Sequence, residues 1–122
     1  MTINFIKGSE KQRAWAQDII DAAYRNLDNM DKYIEQMTQL DPEDPEKVAG
    51  YTHEKVNEVR KMLDSVCEKV VKGDATIVIN MREKFEYDRL YRTLKLIQRD
   101  DMAWDAETCK YIKRQEQKGD KK

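Results

Sequence analysis

Turn-forming and metal-binding residues are scarce in this chain of 122 residues. It contains only four glycines and two prolines, and because all-β folds need many turns, this scarcity predicts long helices. His53 is the only histidine, and the two cysteines, Cys67 and Cys109, lie far apart. A structural zinc site needs about four clustered ligands and is therefore nearly excluded. Two unpaired thiols fit a reduced cytosolic compartment better than a disulfide scaffold.

Long apolar runs and signatures of catalysis are also missing from the sequence. No stretch approaches the roughly 18 apolar residues that span a membrane, and the N-terminus lacks the basic and apolar segments of a secretory signal. There is no glycine-rich phosphate loop and no G-x-S-x-G motif. His53 precedes Cys67 by about four turns of helix, too far to activate its thiol. We therefore expect a soluble cytoplasmic protein that is not an enzyme and has no cofactor.

The first strong pattern is a long amphipathic helix. Ser9 and Gln12 have the spacing of a capping box, so the helix begins after Gly8. From there the apolar residues follow in alternating steps of four and three, which is typical of a heptad seam. They are Ala16, Ile20, Ala23, Leu27, Met30, Ile34 and Met37. The pattern predicts a helix of roughly 30 residues, with Trp15 and Ile19 widening its apolar stripe.

A second helix follows two proline-containing turns. Pro42 and Pro45 each follow an aspartate, and the residue before a proline avoids the helical region. Either Asp44 or Thr52 caps the helix that follows. Its apolar residues repeat the spacing of three and four and are Val56, Val59, Leu63, Val66 and Val70. Gly73 is a suitable residue to end it.

The C-terminal half is predicted to hold two more helices. Residues 76–81 are β-branched and favour a strand locally, but a lone strand has no partner here, so we predict a helix over 75–99. Its buried face consists of Ile77, Val78, Met81, Phe85, Leu90, Leu94 and Ile97. After a turn at 99–101, a last short helix is predicted to start at Met102 or Trp104 and to run through Cys109 and Ile112.

These elements predict one domain over residues 1–116 and a flexible polar tail over 117–122. The fold class is all-α, an antiparallel helical bundle of three long helices plus a short C-terminal helix. Its first hairpin resembles a coiled coil, and the same seam offers a surface for a homodimer. The net charge is −1, which gives no reason to expect nucleic-acid binding from the total alone.

Charge is unevenly distributed along the chain. Residues 28–58 hold nine acidic and three basic side chains, and this segment offers an acidic surface for the basic groove of a protein partner. Its candidate residues are Asp28, Asp31, Glu35, Glu43, Asp44 and Glu46. The first three lie three and four residues apart, a spacing that can hold a divalent cation. The Glu-x-x-His pairs of di-iron bundles are missing, so we expect a solvated acidic face and no metal.

A basic segment follows later in the chain. Residues 82–99 hold six basic and three acidic side chains. On a continuous helix four arginines share one face, with Tyr87 and Tyr91 between them: Arg82, Arg89, Arg92 and Arg99. Arginine with interleaved tyrosine suits phosphate or base contacts. Three interpretations stay open: an ordinary solvated or intramolecular ionic face, a surface for a protein partner, or a site for nucleotides or nucleic acid.

Two short stretches resemble a family of small helical proteins of bacterial phages, plasmids and integrative elements. The first is a G-S/T-x-K-Q-x-x-W-A-x-x-I opening, matched by Gly8, Ser9, Lys11, Gln12, Trp15, Ala16 and Ile19. The second is a D-A-x-x-x-I-x-x-R turn, matched by Asp74, Ala75, Ile79 and Arg82. Where the family usually has an aromatic pair, this chain has Ile77 and Val78. The resemblance implies a helical mobile-element protein and carries over no catalytic residues.

A small charged helical protein of this origin is expected to act by occupying a host macromolecule. The first hypothesis is an anti-defence inhibitor of the anti-CRISPR type in a bacterial host cell. It would bind a host protein, such as a CRISPR effector that handles nucleic acid, in a stoichiometric complex. The alternative is a helical oligomer that binds nucleotide signals or nucleic acid through the arginine face. A third hypothesis is an element-maintenance protein that bridges partners through its seam.

Overall fold

Residues 3–114 are described by a computed structural model. This part of the chain is mostly helical and ends in a two-stranded sheet. Its helices are α1 Glu10–Gln36, α2 Pro45–Ala49, α3 His53–Val66, α4 Ala75–Asn80 and α5 Tyr87–Arg99. Its strands are β1 Met102–Asp105 and β2 Lys110–Lys113. The predicted domain end at 116 and the predicted tail at 117–122 lie outside the described residues.

The first helix confirms the sequence pattern. The Ser9 side chain accepts a hydrogen bond from the backbone N–H of Gln12, and the Gln12 side chain accepts one from the backbone N–H of Ser9. The predicted seam is the buried face of α1, except that Met37 lies in a short 3₁₀ turn and is half-buried. The remaining seam residues are at most 2% exposed. Capping and heptad spacing were therefore sufficient to place this helix.

Both candidate caps of the second helix are used. The Asp44 carboxylate caps the short α2 and the Thr52 hydroxyl caps α3, because Gly50, at φ +90°, ends α2 between them. After Val66 the chain widens into a π-helical turn over Cys67–Val71. This wider turn shifts the apolar stripe by one position, so Val71 is buried and Val70, predicted to be buried, is exposed.

The predicted single helix over 75–99 is wrong, although residues 76–80 are helical rather than extended. α4 ends at Asn80, a 3₁₀ turn covers Arg82–Phe85, and Glu86 is extended before α5 begins. In a continuous helix Phe85 and Leu90 would point about 140° apart. The break allows both side chains to enter the core, where they are 4% and 1% exposed.

The predicted C-terminal helix is also wrong: this segment forms a small sheet, so the described fold is mostly helical but not purely α-helical. β1 and β2 form an antiparallel hairpin in which Trp104 pairs with Tyr111. The hairpin is attached to α3: the backbone N–H of Trp104 donates to the Glu58 carboxylate (2.9 Å) and its indole N–H donates to the Ser65 hydroxyl (2.8 Å). These partners lie about 40 residues earlier in the chain, so local sequence patterns do not reveal them.

The helices pack around α1. α1 makes its most extensive contacts with α4, and further contacts with α3 and α5. Contacts between α1 and α3 join Tyr24 to Asp64 and Asp28 to Arg60, so the two helices run antiparallel. Among residues 3–114, no helix has both the length and the apolar character needed to cross a membrane.

Candidate functional site

The acidic side of α1 is largely paired with α3. The Arg60 guanidinium donates to Asp28 (2.8 Å) and to Asp31 (2.9 Å), and the His53 ring lies 2.7 Å from Asp31. Asp28 is still mostly exposed, whereas the Asp31 side chain is only 25% exposed. These two carboxylates therefore join two helices of the same chain.

The remaining predicted acidic residues are divided between two roles. Asp44 accepts from the backbone of Lys47 as a helix cap, and Glu46 accepts from the backbone N–H of His53 (3.0 Å). Glu35 and Glu43 are exposed and make no side-chain hydrogen bond or ion pair with any residue in 3–114. Of the six predicted residues, only these two are both exposed and unpaired within the described chain.

The helix break separates Arg82 from the other three arginines of the predicted basic face, which lie on α5. Arg82 lies in the 3₁₀ turn, where its guanidinium covers the Trp15 ring at 5.3 Å and donates to the Ile79 carbonyl (2.7 Å). Arg99 pairs with the neighbouring Asp100. Arg89 and Arg92 on α5 are exposed and have no partner within residues 3–114. A shared face including Arg82 is therefore wrong, while anion binding by the α5 arginines stays a prediction.

Tyr87 and Tyr91 pack with other tyrosines. Their rings stack at 5.8 Å, Tyr91 meets Tyr51 edge-on at 6.2 Å, and Tyr51 lies 6.3 Å from Tyr33. Tyr51 is buried at 4% exposure, whereas Tyr33 and Tyr87 are 43% and 47% exposed. With Asn29, Met30 and Ala49 the four rings line a cavity of about 390 Å³. We call it the tyrosine pocket.

A second cavity continues along α1. It measures about 310 Å³, and Tyr87 lines both cavities. Its other lining residues are Trp15, Ile19, Ala22, Asn26, Arg82, Phe85 and Glu86. Trp15 is 47% exposed. We call the two cavities together the aromatic groove.

The sequence carries a signal for this groove that the core seam alone does not reveal. The α1 residues along the groove follow steps of four and three, parallel to the core seam: Trp15, Ile19, Ala22, Asn26, Asn29 and Tyr33. Eighteen residues span about five turns of helix, so Trp15 and Tyr33 lie on the same side of α1. Trp15 and Ile19 are therefore more than a widening of the core stripe. The groove residues of α1 therefore form a second row beside the core seam, with an aromatic ring at each end.

The side chains that line the tyrosine pocket are electrically neutral. Burial, followed by the nearby tyrosines and Asp31, raises the pKa of Tyr51 to about 12. Burial, then Tyr91, then Asp88, raise the pKa of Tyr87. Neutral phenols and carboxamides offer hydrogen bonds and ring faces to a ligand, and they are poor general bases at neutral pH.

The two thiols lie outside the groove. Cys67 is buried, and burial followed by the Asp64 charge raises its pKa to about 11, which keeps it protonated and unreactive. Cys109 is exposed in the hairpin turn. Within residues 3–114, no three histidine, cysteine or carboxylate side chains are grouped so that they could hold a metal ion.

Comparisons with known proteins give no family for this chain. No protein-family model, no curated protein and no solved structure matches it significantly. The resemblance to small mobile-element proteins therefore stays a prediction, and the aromatic groove, described from its own geometry, is the feature on which a functional conclusion rests.

Proposed function

We propose that this chain is a non-catalytic binding protein that inhibits another protein by stoichiometric contact through the aromatic groove. The observation that carries the proposal is the groove itself, in which Trp15 and Tyr33 on one side of α1 and Tyr87 on α5 are each nearly half exposed. Half-exposed tryptophan and tyrosine in a concave site are the residues that contribute most to protein interfaces. Large exposed apolar patches also cost solubility unless a partner covers them.

The finer form of the proposal is an anti-defence inhibitor of the anti-CRISPR type, acting in the cytoplasm of a bacterial host. Its target is a host effector that handles nucleic acid, and direct nucleic-acid binding is not required. The resemblance of Gly8–Ile19 to the opening of mobile-element proteins supports this form. The groove supports the mode of action, because a partner segment seated between α1 and α5 is buried on two sides.

The test compares two matched double variants. Trp15→Ala/Tyr87→Ala removes two exposed rings of the groove. Leu40→Ala/Leu96→Ala removes two exposed apolar side chains that do not line it. Each protein is mixed with candidate nucleic-acid-cleaving effectors, and complex formation and cleavage are measured by light scattering and a nuclease assay. We expect the groove variant to lose binding and inhibition, while the control variant keeps both.

Two results would contradict the proposal. The first is equal inhibition by both variants, provided that circular dichroism shows both to be folded. The second is inhibition without a stoichiometric complex. The same light-scattering experiment on the chain alone tests the homodimer. The predicted heptad seam is buried within the single chain, so a homodimer has to form through another surface.

A nucleotide-binding or nucleic-acid-binding oligomer is the second candidate. It is supported by Arg89 and Arg92, two exposed guanidinium groups with no partner among residues 3–114, since arginine without an internal partner suits phosphate. Calorimetry with cyclic nucleotides and short DNA tests it, with Arg89→Gln/Arg92→Gln as the variant. A heat of binding that is measured with the wild type and lost in the variant supports this candidate. No heat of binding with either ligand contradicts it.

A further inference from the structure

Arg82 shows how the groove binds a cation. Its guanidinium lies over the Trp15 ring, 5.3 Å from the ring centre, in the half of the groove nearer the start of α1. Stacking on an aromatic face suits guanidinium, which is planar and weakly hydrated. Among residues 3–114 this is the one cation held over a ring. No described cationic side chain covers Tyr33 or Tyr87 in the other half in this way.

The surroundings of the tyrosine pocket favour a positive charge. Four ring systems line it, and the faces of aromatic rings carry partial negative charge. Glu86 and Asp88 flank Tyr87 in the chain, and both are exposed and unpaired within the described residues. Glu86 occupies the N-cap position of α5, yet its side chain does not cap the helix and instead lines the groove.

No cationic side chain of residues 3–114 lines the tyrosine pocket. Lys95, one turn after Tyr91, donates its ammonium hydrogen bond to the Gly50 carbonyl oxygen (2.8 Å) and does not line the pocket. Arg92 follows Tyr91, is exposed and likewise does not line the pocket. The pocket thus combines ring faces, nearby carboxylates and the Asn29 carboxamide, all of which attract a guanidinium group.

We propose that the tyrosine pocket is a cage for an arginine side chain of the protein partner, held over Tyr33 and Tyr87, with the exposed carboxylates Glu86 and Asp88 on either side of Tyr87 in the chain. This inference rests on the proposed function and specifies the chemistry of the partner. A protein that handles nucleic acid presents arginines to phosphate, and an arginine seated in the cage is no longer available to nucleic acid.

The test uses a short peptide probe and so does not depend on an identified partner. The probes are Ac-Gly-Arg-Gly-amide and the same peptide with citrulline, which has the shape of arginine without its charge. NMR titration of the whole chain follows the tyrosine ring signals. We expect the arginine peptide to shift the rings of Tyr33, Tyr51, Tyr87 and Tyr91, and to bind about tenfold more tightly than the citrulline peptide.

Charge variants separate electrostatic recognition from simple ring burial. Asp88→Lys should weaken binding of the arginine peptide severalfold, and Arg92→Gln should strengthen it, because both side chains are exposed and neither has a structural partner in residues 3–114. A lysine peptide and tetramethylammonium serve as further probes. Tighter binding of either one than of the arginine peptide overturns the assignment to arginine.

Failure of the cage and failure of the proposed function give different results. Equal binding of the arginine and citrulline peptides, or shifts confined to residues outside the pocket, overturns the cage. If the Trp15→Ala/Tyr87→Ala variant still loses inhibition in that case, the proposed function stands. Conversely, an arginine peptide that binds the pocket, with no effector bound by the wild type, supports the cage and contradicts the inhibitor.

Discussion

The two sides of α1 that flank its buried stripe differ in how the folded chain uses them. On the side facing α3, Asp28 and Asp31 are joined to Arg60 and His53. On the side facing the 3₁₀ turn and α5, Trp15 and Tyr33 border an open groove and are nearly half exposed. The charged side is mostly satisfied inside the molecule, and the aromatic side is not.

This contrast reverses the emphasis that sequence alone suggests. In the sequence, a cluster of carboxylates suggests a surface for a protein partner. Aromatic residues next to an apolar seam are normally assigned to the core. Ion pairs between partly exposed groups add little stability, but the paired carboxylates already have a partner within the chain. A half-exposed ring leaves apolar surface in contact with water, and its burial by a partner is favourable.

The largest loss of stability is expected from a substitution in the buried stripe of α1, which lies between the two sides. Leu27 is fully buried in the stripe between them. Leu27→Ala should lower the free energy of unfolding by about 2–5 kcal/mol, through lost apolar burial and the cavity it leaves. Urea denaturation measures it, with the half-exposed Tyr33→Ala as the control. A loss below about 1 kcal/mol would mean that the stripe is loosely packed.

A lysine introduced on each side of α1 should affect stability differently on the two sides. Asp31→Lys should destabilise the chain by roughly 1–2 kcal/mol, because an ammonium group would replace the partner of Arg60 and His53. Asn29→Lys, two residues away on the groove side, should change stability by less than about 0.5 kcal/mol and weaken binding of the arginine peptide. Thermal melts measure the change in stability, and NMR titration measures binding of the arginine peptide. Equal destabilisation by both variants would show that the two sides of α1 contribute equally to stability.

Alkaline pH should lower the stability of the folded chain by ionising a tyrosine on the groove side. The folded-state pKa of Tyr51, raised to about 12 by burial and by its neighbours, lies above the ordinary value of about 10. A raised pKa contributes stability that is complete below pH 10 and is lost as the pH rises through 12. After allowance for solvent screening we expect a fall of about 1 kcal/mol over this window. Denaturation at several pH values, with Tyr51→Phe as the control, checks it; an equal fall in the variant assigns the loss to other groups.

The smallest effect is expected from the exposed end of the acidic side. The Asp28 side chain is 63% exposed and shares Arg60 with Asp31. Asp28→Asn should therefore change the free energy of unfolding by less than about 0.5 kcal/mol and leave inhibition unchanged. Urea denaturation and the nuclease assay measure both, and loss of inhibition by the folded variant would restore the acidic side as the binding surface.

Local signals were sufficient for the helices that begin with a cap and carry a regular apolar stripe. Ser9 and Gln12 located the start of α1, and Asp44 and Thr52 located two helices where only one was predicted. The spacing from Phe85 to Leu90 does not fit one helix, and this conflict is visible in the sequence itself. The hairpin offered no comparable signal, because Trp104 finds its partners Glu58 and Ser65 only in the folded chain.

By itself the sequence determined the capped, heptad-patterned α1, the start of α3 and the helical character of most of the chain, since these depend on residues within a few turns of each other. Tertiary structure alone decided which carboxylates are paired and that the C-terminal segment is a hairpin. It also brought Tyr51 and Tyr87 to Tyr33. The reason is physical: burial and partner choice depend on residues distant in sequence, and only the folded chain brings them into contact.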